Sequence, residues 1–355
     1  MPRPAIARIN LNHLRHNYQL LKKHAGDSTV MAVIKANAYG HEMFLVAPTL
    51  FEEGCRSFAV TDAVEGAELR SILGFYQRLE ITLLSGIFDL EDAELACQHE
   101  LTPTVTELSQ IKLLQKAGFQ GKVWIKIDTG MNRMGAENPQ AMLEQCVQKN
   151  IAVLGIMSHL ACADEPNHPM NRQQSARFNE CCDQIAPDLP RSLLNSAGLI
   201  SMPECRSDVV RPGIALYGAE PIQGDPIGLK PVMSLRGTII QVRNIPAGAS
   251  VSYGATFTAK QATKIAVIGL GYADGVSRNL SNLGHISMNG QKLPIVGRVC
   301  MDYTMIDVTG TEAKQGDAVE IWGEQILAND VADSLNTISY TLFTGVGERV
   351  RRMPV

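Results

Sequence analysis

The stretch MAVIKANAYGHE, residues 31–42, decides the fold. Its apolar run stops at Lys35, Tyr39 follows four residues later, and Gly40 and His41 come next. An unpaired ammonium inside a sheet is costly, so the lysine reads as the polar carboxyl end of a buried strand. A doubly wound sheet would favour a glycine-rich turn here, and residues 35–41 contain no GxGxxG. A (β/α)8 barrel gathers the carboxyl ends of all its strands on one face, where sites form.

Strand-like runs recur outward from this point, at 29–36, 56–61, 78–86, 101–106, 122–128, 152–160, 192–196 and 209–218. Between most of them lie amphipathic segments such as DLEDAELACQHE and ELSQIKLLQKAG, with apolar residues at helical spacing. Several runs are apolar on both faces, as in a parallel sheet covered by helices. About eight such units in roughly 220 residues predict a TIM-like (β/α)8 barrel over 1–230. Beyond Lys230 the runs shorten and Gly, Asn-Gly and Pro turns crowd together. Residues 231–355 therefore read as a second, mostly β-strand domain, with MNGQ as a hairpin turn and a helical stretch around 327–345. The first few residues are left able to pair with this C-terminal domain.

Hydrophobic content of 45%, charged content of 19% and a net charge of -4 describe a globular chain with ample core. The absence of a long Lys/Arg run argues against nucleic acid as a partner. Eight cysteines without a CxxC read as reduced thiols. The N-terminus lacks a signal peptide's apolar region, and no window spans a membrane, which predicts a cytoplasmic location. His159, Cys162, Asp164, Glu165 and His168 cluster in HLACADEPNHP, but their spacing fits no metal site and none is expected. GLGYADG follows GxGxxxG within the β domain and carries no nucleotide signal. The strand ends are more telling: Lys35, KIDTGMNRMG, SHL, NSAG and RPGIALYG bring Lys, Arg, His, Asn/Ser and a second Arg to one barrel face.

Seven motifs, VIKANAYGH, KIDTGMNRMG, NSAG, RPGIALYG, SYGATF, GYADG and VGRVCMDY, occur in the order found in alanine racemases, and nearly the whole chain resembles that family. The resemblance implies an isomerase that interconverts L- and D-alanine with pyridoxal 5'-phosphate, supplying D-alanine for cell-wall precursors. Lys35 would hold the cofactor through a Schiff base and serve as one base, since desolvation favours the free amine. Tyr253 would be the opposed base, acidified by His159 and Arg278. The resemblance also implies that Tyr39, Asn195, Ser196, Tyr340 and the backbone N–H groups of Gly213 and Ile214 bind phosphate. Arg211 would face the pyridine nitrogen, and Arg133 the substrate carboxylate. Lys126 matches a position that some members carbamylate.

In this family the β domain of one chain caps the barrel of another. The resemblance thus implies a homodimer in which Tyr253, Tyr272, Met301 and Asp302 arrive from the partner, with Asp302 supporting catalysis and Tyr272 and Met301 contacting substrate. Asp128 and Asp164 receive no catalytic role. Glu42 stands where the family usually has Gly, a change expected to touch only the first helical turn. Racemisation of another small amino acid such as serine, a related decarboxylase and a non-catalytic pyridoxal-phosphate carrier stay open. Tyr253 and the whole β domain speak against the last two.

Overall fold

The computed structural model describes residues 5–74 and 79–355. Arg78, read above as the start of the third strand, lies outside the described residues. The chain enters through β1 (Ile6–Ile9) and then builds eight parallel strands: β2 (Thr29–Val33), β3 (Ser57–Val60), β4 (Glu80–Leu83), β5 (Thr102–Val105), β6 (Lys122–Lys126), β7 (Ala152–Met157), β8 (Arg191–Ser192) and β9 (Val209–Val210). β2 pairs with both β3 and β9. The seam between β8 and β9 is closed by a parallel bridge, Asn195 to Arg211, with Arg211 N–H donating to Leu194 C=O at 2.9 Å. This is the barrel.

Seven strands fall within their predicted spans but are shorter, whereas β8 (Arg191–Ser192) starts one residue before 192–196 and shares only Ser192 with it. In 209–218 the pairing stops because Pro212 has no N–H for a ladder, and the chain turns into a 3-10 segment, Ile214–Tyr217. The strands bury both faces, with Phe58, Ile81, Val105 and Ile125 fully enclosed, as a helix-covered parallel sheet requires. The helices begin as their sequences dictate. Asp62 and Asp89 accept the N–H groups of Glu65 and Asp92 and so cap Ala63–Leu73 and Leu90–Gln98.

The second sheet is built on β10 (Met233–Ile245), a long strand broken by register shifts near Leu235 and Ile239. It continues through β13 (Thr263–Ile268), β14 (His285–Met288), β15 (Gln291–Pro294), β16 (Thr304–Asp307), β17 (Ala318–Trp322) and β18 (Arg351–Pro354), while β11 (Ser250–Val251) and β12 (Phe257–Thr258) form a separate two-stranded hairpin. β1 lies between β10 and β18, so the start and end of the described chain share this sheet. Asn289 and Gly290, at φ 51° and 84°, form the β14–β15 turn. Two helices, Ala328–Ser334 and Ser339–Thr344, precede β18. One apolar core runs through both domains, from Phe58 and Trp124 in the barrel to Trp322 and Phe343. Among the described residues no helix is long and apolar enough to cross a membrane.

Candidate active site

After β2 the backbone does something the sequence does not announce. Ala36, Asn37, Ala38 and Tyr39 all have φ between 51° and 54°, a full turn of left-handed helix made without glycine. At roughly 1–2 kcal/mol per residue, such a turn costs on the order of 4–8 kcal/mol. Specific bonds offset it. Ala38 N–H donates to Ile34 C=O at 2.8 Å and Gly40 N–H to Ala36 C=O at 2.9 Å. Asn37 Oδ1 accepts Met43 N–H at 2.6 Å, and Glu65 Oε1 accepts Ala36 N–H at 2.6 Å. Gly40 then ends the turn at φ 75°, where a Cβ would lie 2.3 Å from Phe343 C=O. The result is that Lys35 and Tyr39 point into one cavity.

That cavity, of about 420 Å³, lies at the carboxyl ends of the barrel strands. Lys35, Lys126, Arg133 and Arg211 all line it, and no Asp or Glu does among the described residues. Burial lowers the Lys35 pKa, and the Arg133 charge lowers it further, while Glu65 opposes them. Lys126 is pulled down to about 8 by burial, then by Arg211, Arg133 and Lys35. His159 falls to about 3 through burial and the same cations, so it is neutral at ordinary pH. Arg211, wholly enclosed, comes down to about 10 and still keeps its proton. Its guanidinium donates to Ser192 Oγ, Ser158 C=O and Leu193 C=O, which fixes its direction.

Hydroxyl groups gather beside these charges. Tyr39 stacks on Tyr217 at 4.8 Å and leans on Tyr340 at 5.6 Å, and both Tyr39 and Tyr340 line the cavity. Ser196 Oγ accepts the N–H groups of Gly213 at 2.8 Å and Ala215 at 3.4 Å. With its acceptor positions filled, the hydroxyl has its own proton left to donate. Gly213 N–H, expected to face phosphate, donates here to that hydroxyl. Ile214 opens the 3-10 turn, where first-turn N–H groups lack an internal acceptor. Asn195 caps its helix by accepting Gly198 N–H at 2.9 Å, while its side chain lines the cavity.

Two carboxylates support this site without having been given a role in it by the sequence. Asp128 accepts Gly130 N–H at 2.7 Å and Arg133 N–H at 3.2 Å, tying down the loop that presents Arg133. Burial pushes its carboxyl up, but the N–H donors of Gly130, Asn132, Arg133 and Met131 bring it below the ordinary range. The Asp-Thr-Gly run was the available signal, as an Asx-type turn. Glu65 has none beyond its place in a helix's first turn. Glu42 also departs from expectation. It adopts φ 77° and ψ 103° with no side-chain cap bond, so the replacement of Gly strains the backbone rather than improving the helix dipole.

The remaining candidates lie elsewhere in the chain. Tyr253 tops the β11–β12 hairpin and is 71% exposed. Tyr272 and Met301 are exposed on the same domain, and Arg278 is exposed in its own short turn. Asp302 pairs with Arg349 at 2.8 Å, and Arg349 also grips buried Asp274 at 2.7 Å. None of these five lines the cavity of its own chain. In the HLACADEPNHP loop, His168 Nδ1 accepts Met170 N–H as a helix cap, and among the described residues no cluster could hold a metal ion.

Fold and site together define a two-domain barrel protein with a desolvated lysine in a cavity lined by cationic side chains. The chain belongs to the alanine racemase family: residues 9–221 match the family's N-terminal domain model and 232–354 its C-terminal domain model. An alanine racemase of Marinobacter nauticus is 38% identical over 362 residues, covering 99% of each chain. One from Shewanella oneidensis is 38% identical with 97% coverage of both. The biosynthetic alanine racemase of Pseudomonas aeruginosa superposes with a TM-score of 0.92 at 36% identity, covering 99% of each chain. An alanine racemase from Bartonella henselae, solved with covalently bound pyridoxal phosphate, gives 0.92 at 34% identity over the whole of both chains.

Proposed function

We propose that this chain interconverts L- and D-alanine with pyridoxal 5'-phosphate held at Lys35, and that two copies share each site. The observation that carries this reading is one cavity in which Lys126, Arg133 and Arg211 surround the desolvated Lys35, with no carboxylate on the wall among the described residues. Such a wall suits a doubly charged phosphate and a substrate carboxylate together. The fit to the cofactor rests on the spare Ser196 proton, the Tyr39 hydroxyl over Gly213 and a volume within the range of small-molecule sites. When bound, the cofactor makes the proton on the substrate Cα acidic.

The chain's own residues do the rest. Arg133 offers a forked donor to the substrate carboxylate, and the Asp128-tied loop sets its position. Arg211 has donors only, so a ring nitrogen beside it gains no proton from it. Lys35, kept toward its neutral amine by burial and by Arg133, takes or returns a proton at one face of Cα. The other face needs a second base. Tyr253 is the candidate, supported by His159 and Arg278, and it stands exposed at a hairpin tip outside its own cavity. A second copy resolves the mismatch. Phe44, Val64 and Phe88 leave apolar surface on the barrel rim, and Tyr253, Tyr272, Met301 and Tyr303 leave another patch on the β domain. Pairing the two patches buries both and brings Tyr253 to the partner's Lys35. Lys126 is the candidate for carbon dioxide capture beside Arg133. A supply role for D-alanine follows the biosynthetic relative from Pseudomonas aeruginosa.

The test is to mix purified chain, pyridoxal phosphate and L-alanine with D-amino-acid oxidase. Peroxide is expected with L-alanine and less with L-serine. Bound cofactor without peroxide from any L-amino acid would leave a carrier and end the racemase reading.

A further inference from the structure

We propose that Glu65 is a positioning residue for Lys35: its carboxylate clamps the first peptide of the left-handed turn to the neighbouring strand end and so sets the direction in which the lysine enters the cavity. The inference rests on the reading of Lys35 as the reacting amine. Glu65 lies in the first turn of the helix Ala63–Leu73, three residues after its cap Asp62. A glutamate there ordinarily reaches back to the cap residue's own N–H. Here it does something else. Oε2 accepts Thr61 N–H at 2.8 Å and Oε1 accepts Ala36 N–H at 2.6 Å. One carboxylate thus ties the end of β3 to the residue after Lys35, where the backbone first turns left-handed.

The position matters electrically as well. The charged and titratable groups facing Lys35 are Arg133, Lys126, His159, Arg211, Tyr39 and Tyr340 around the cavity, and Glu65. Among these Glu65 is the acidic one, and it acts on Lys35 against burial and Arg133. Its carboxylate therefore does two separable things, one through hydrogen bonds and one through charge.

Glu65→Gln removes the charge and one acceptor, whereas Glu65→Asp keeps the charge on a side chain too short to span both donors. The full chain, freed of cofactor, is incubated with pyridoxal phosphate across pH, reduced with borohydride and mapped at the Lys35 peptide. Amide hydrogen exchange is read at Ala36 and Gly40. In Glu65→Gln the pH midpoint of capture at Lys35 is expected to fall by on the order of half a unit, while Glu65→Asp holds it. In both variants exchange at Ala36 is expected to rise about fivefold or more. Helix capping alone would lower stability without moving the midpoint, as Asp62→Ala should show. A wild-type midpoint and wild-type exchange in Glu65→Gln would overturn the proposal while leaving Lys35 in its role. No adduct at Lys35 in the unaltered chain would overturn the reading beneath it. Should Glu65→Gln fail to fold, Glu65→Asp decides alone: faster exchange at Ala36 supports the clamp, and unchanged exchange refutes it.

Discussion

Gly213→Ala tests the proposed anion cradle with a single methyl group. Gly213 has a negative φ, -121°, so alanine meets no left-handed penalty there and the clash described next is the specific cost. The new Cβ would sit 2.4 Å from Tyr39 Oη and 3.1 Å from Tyr39 Cζ, the nearer of these roughly 1 Å inside ordinary contact. Tyr39 cannot easily withdraw, since its ring is stacked on Tyr217 at 4.8 Å and flanked by Tyr340 at 5.6 Å. Overpacking of this kind costs about 1–3 kcal/mol, which corresponds to about 5- to 150-fold in affinity. The assay is pyridoxal-phosphate affinity by absorbance titration, with thermal unfolding alongside. Tyr39→Phe alone should weaken binding, and the double variant should lose less than the sum, with a coupling of about 1 kcal/mol. Losses that simply add, or a Gly213→Ala chain that binds and unfolds like the original, would refute the idea that this contact shapes the cradle.

Glu42→Gly should raise the unfolding temperature, because φ 77° suits glycine; relief of about 1–3 kcal/mol of strain outweighs the lost chain stiffness by about 1 kcal/mol, and a lower temperature would contradict this. Acid stability follows from buried histidines. Burial holds His41 at about 3 against an ordinary 6.5, so the unfolded chain takes up a proton below 6.5 that the native state refuses until about 3. Stability present above 6.5 is therefore lost as pH falls through this window, at about 1.4 kcal/mol per pH unit for each such histidine. His41→Phe should flatten the slope of unfolding free energy between about pH 4 and 6 by that amount, and an unchanged slope would be contrary. Lys126, held near 8, has a ready neutral fraction. Labelled bicarbonate should give a carbamate carbon signal that Lys126→Arg abolishes; its persistence in that variant, or its absence throughout, would exclude the modification.

The barrel was legible because strands buried on both faces leave uninterrupted apolar runs, of which VMAVI is a clear case. The cavity was legible because barrel topology sends strand ends to one place, and Lys35, His159, Asn195 and Arg211 all meet there. What stayed hidden depends on backbone geometry without a residue signature. Ala36–Tyr39 holds a left-handed turn through tertiary hydrogen bonds, and only Asn37 and Gly40 favour such angles locally. Glu65 could not be found, since its partners lie 4 and 29 residues away and are backbone N–H groups common to any sequence. Long β10 was obscured because its register shifts break the alternation that would have marked one strand.

The shared two-base site is tested most directly by mixing two inactive chains, Lys35→Ala and Tyr253→Phe, after reversible dissociation. In a mixed pair the Lys35 of one chain meets the Tyr253 of the other, so one of the two sites is whole. Random reassortment then predicts recovery of roughly a quarter of the unaltered activity. Mixtures that remain as inactive as their components would contradict the account.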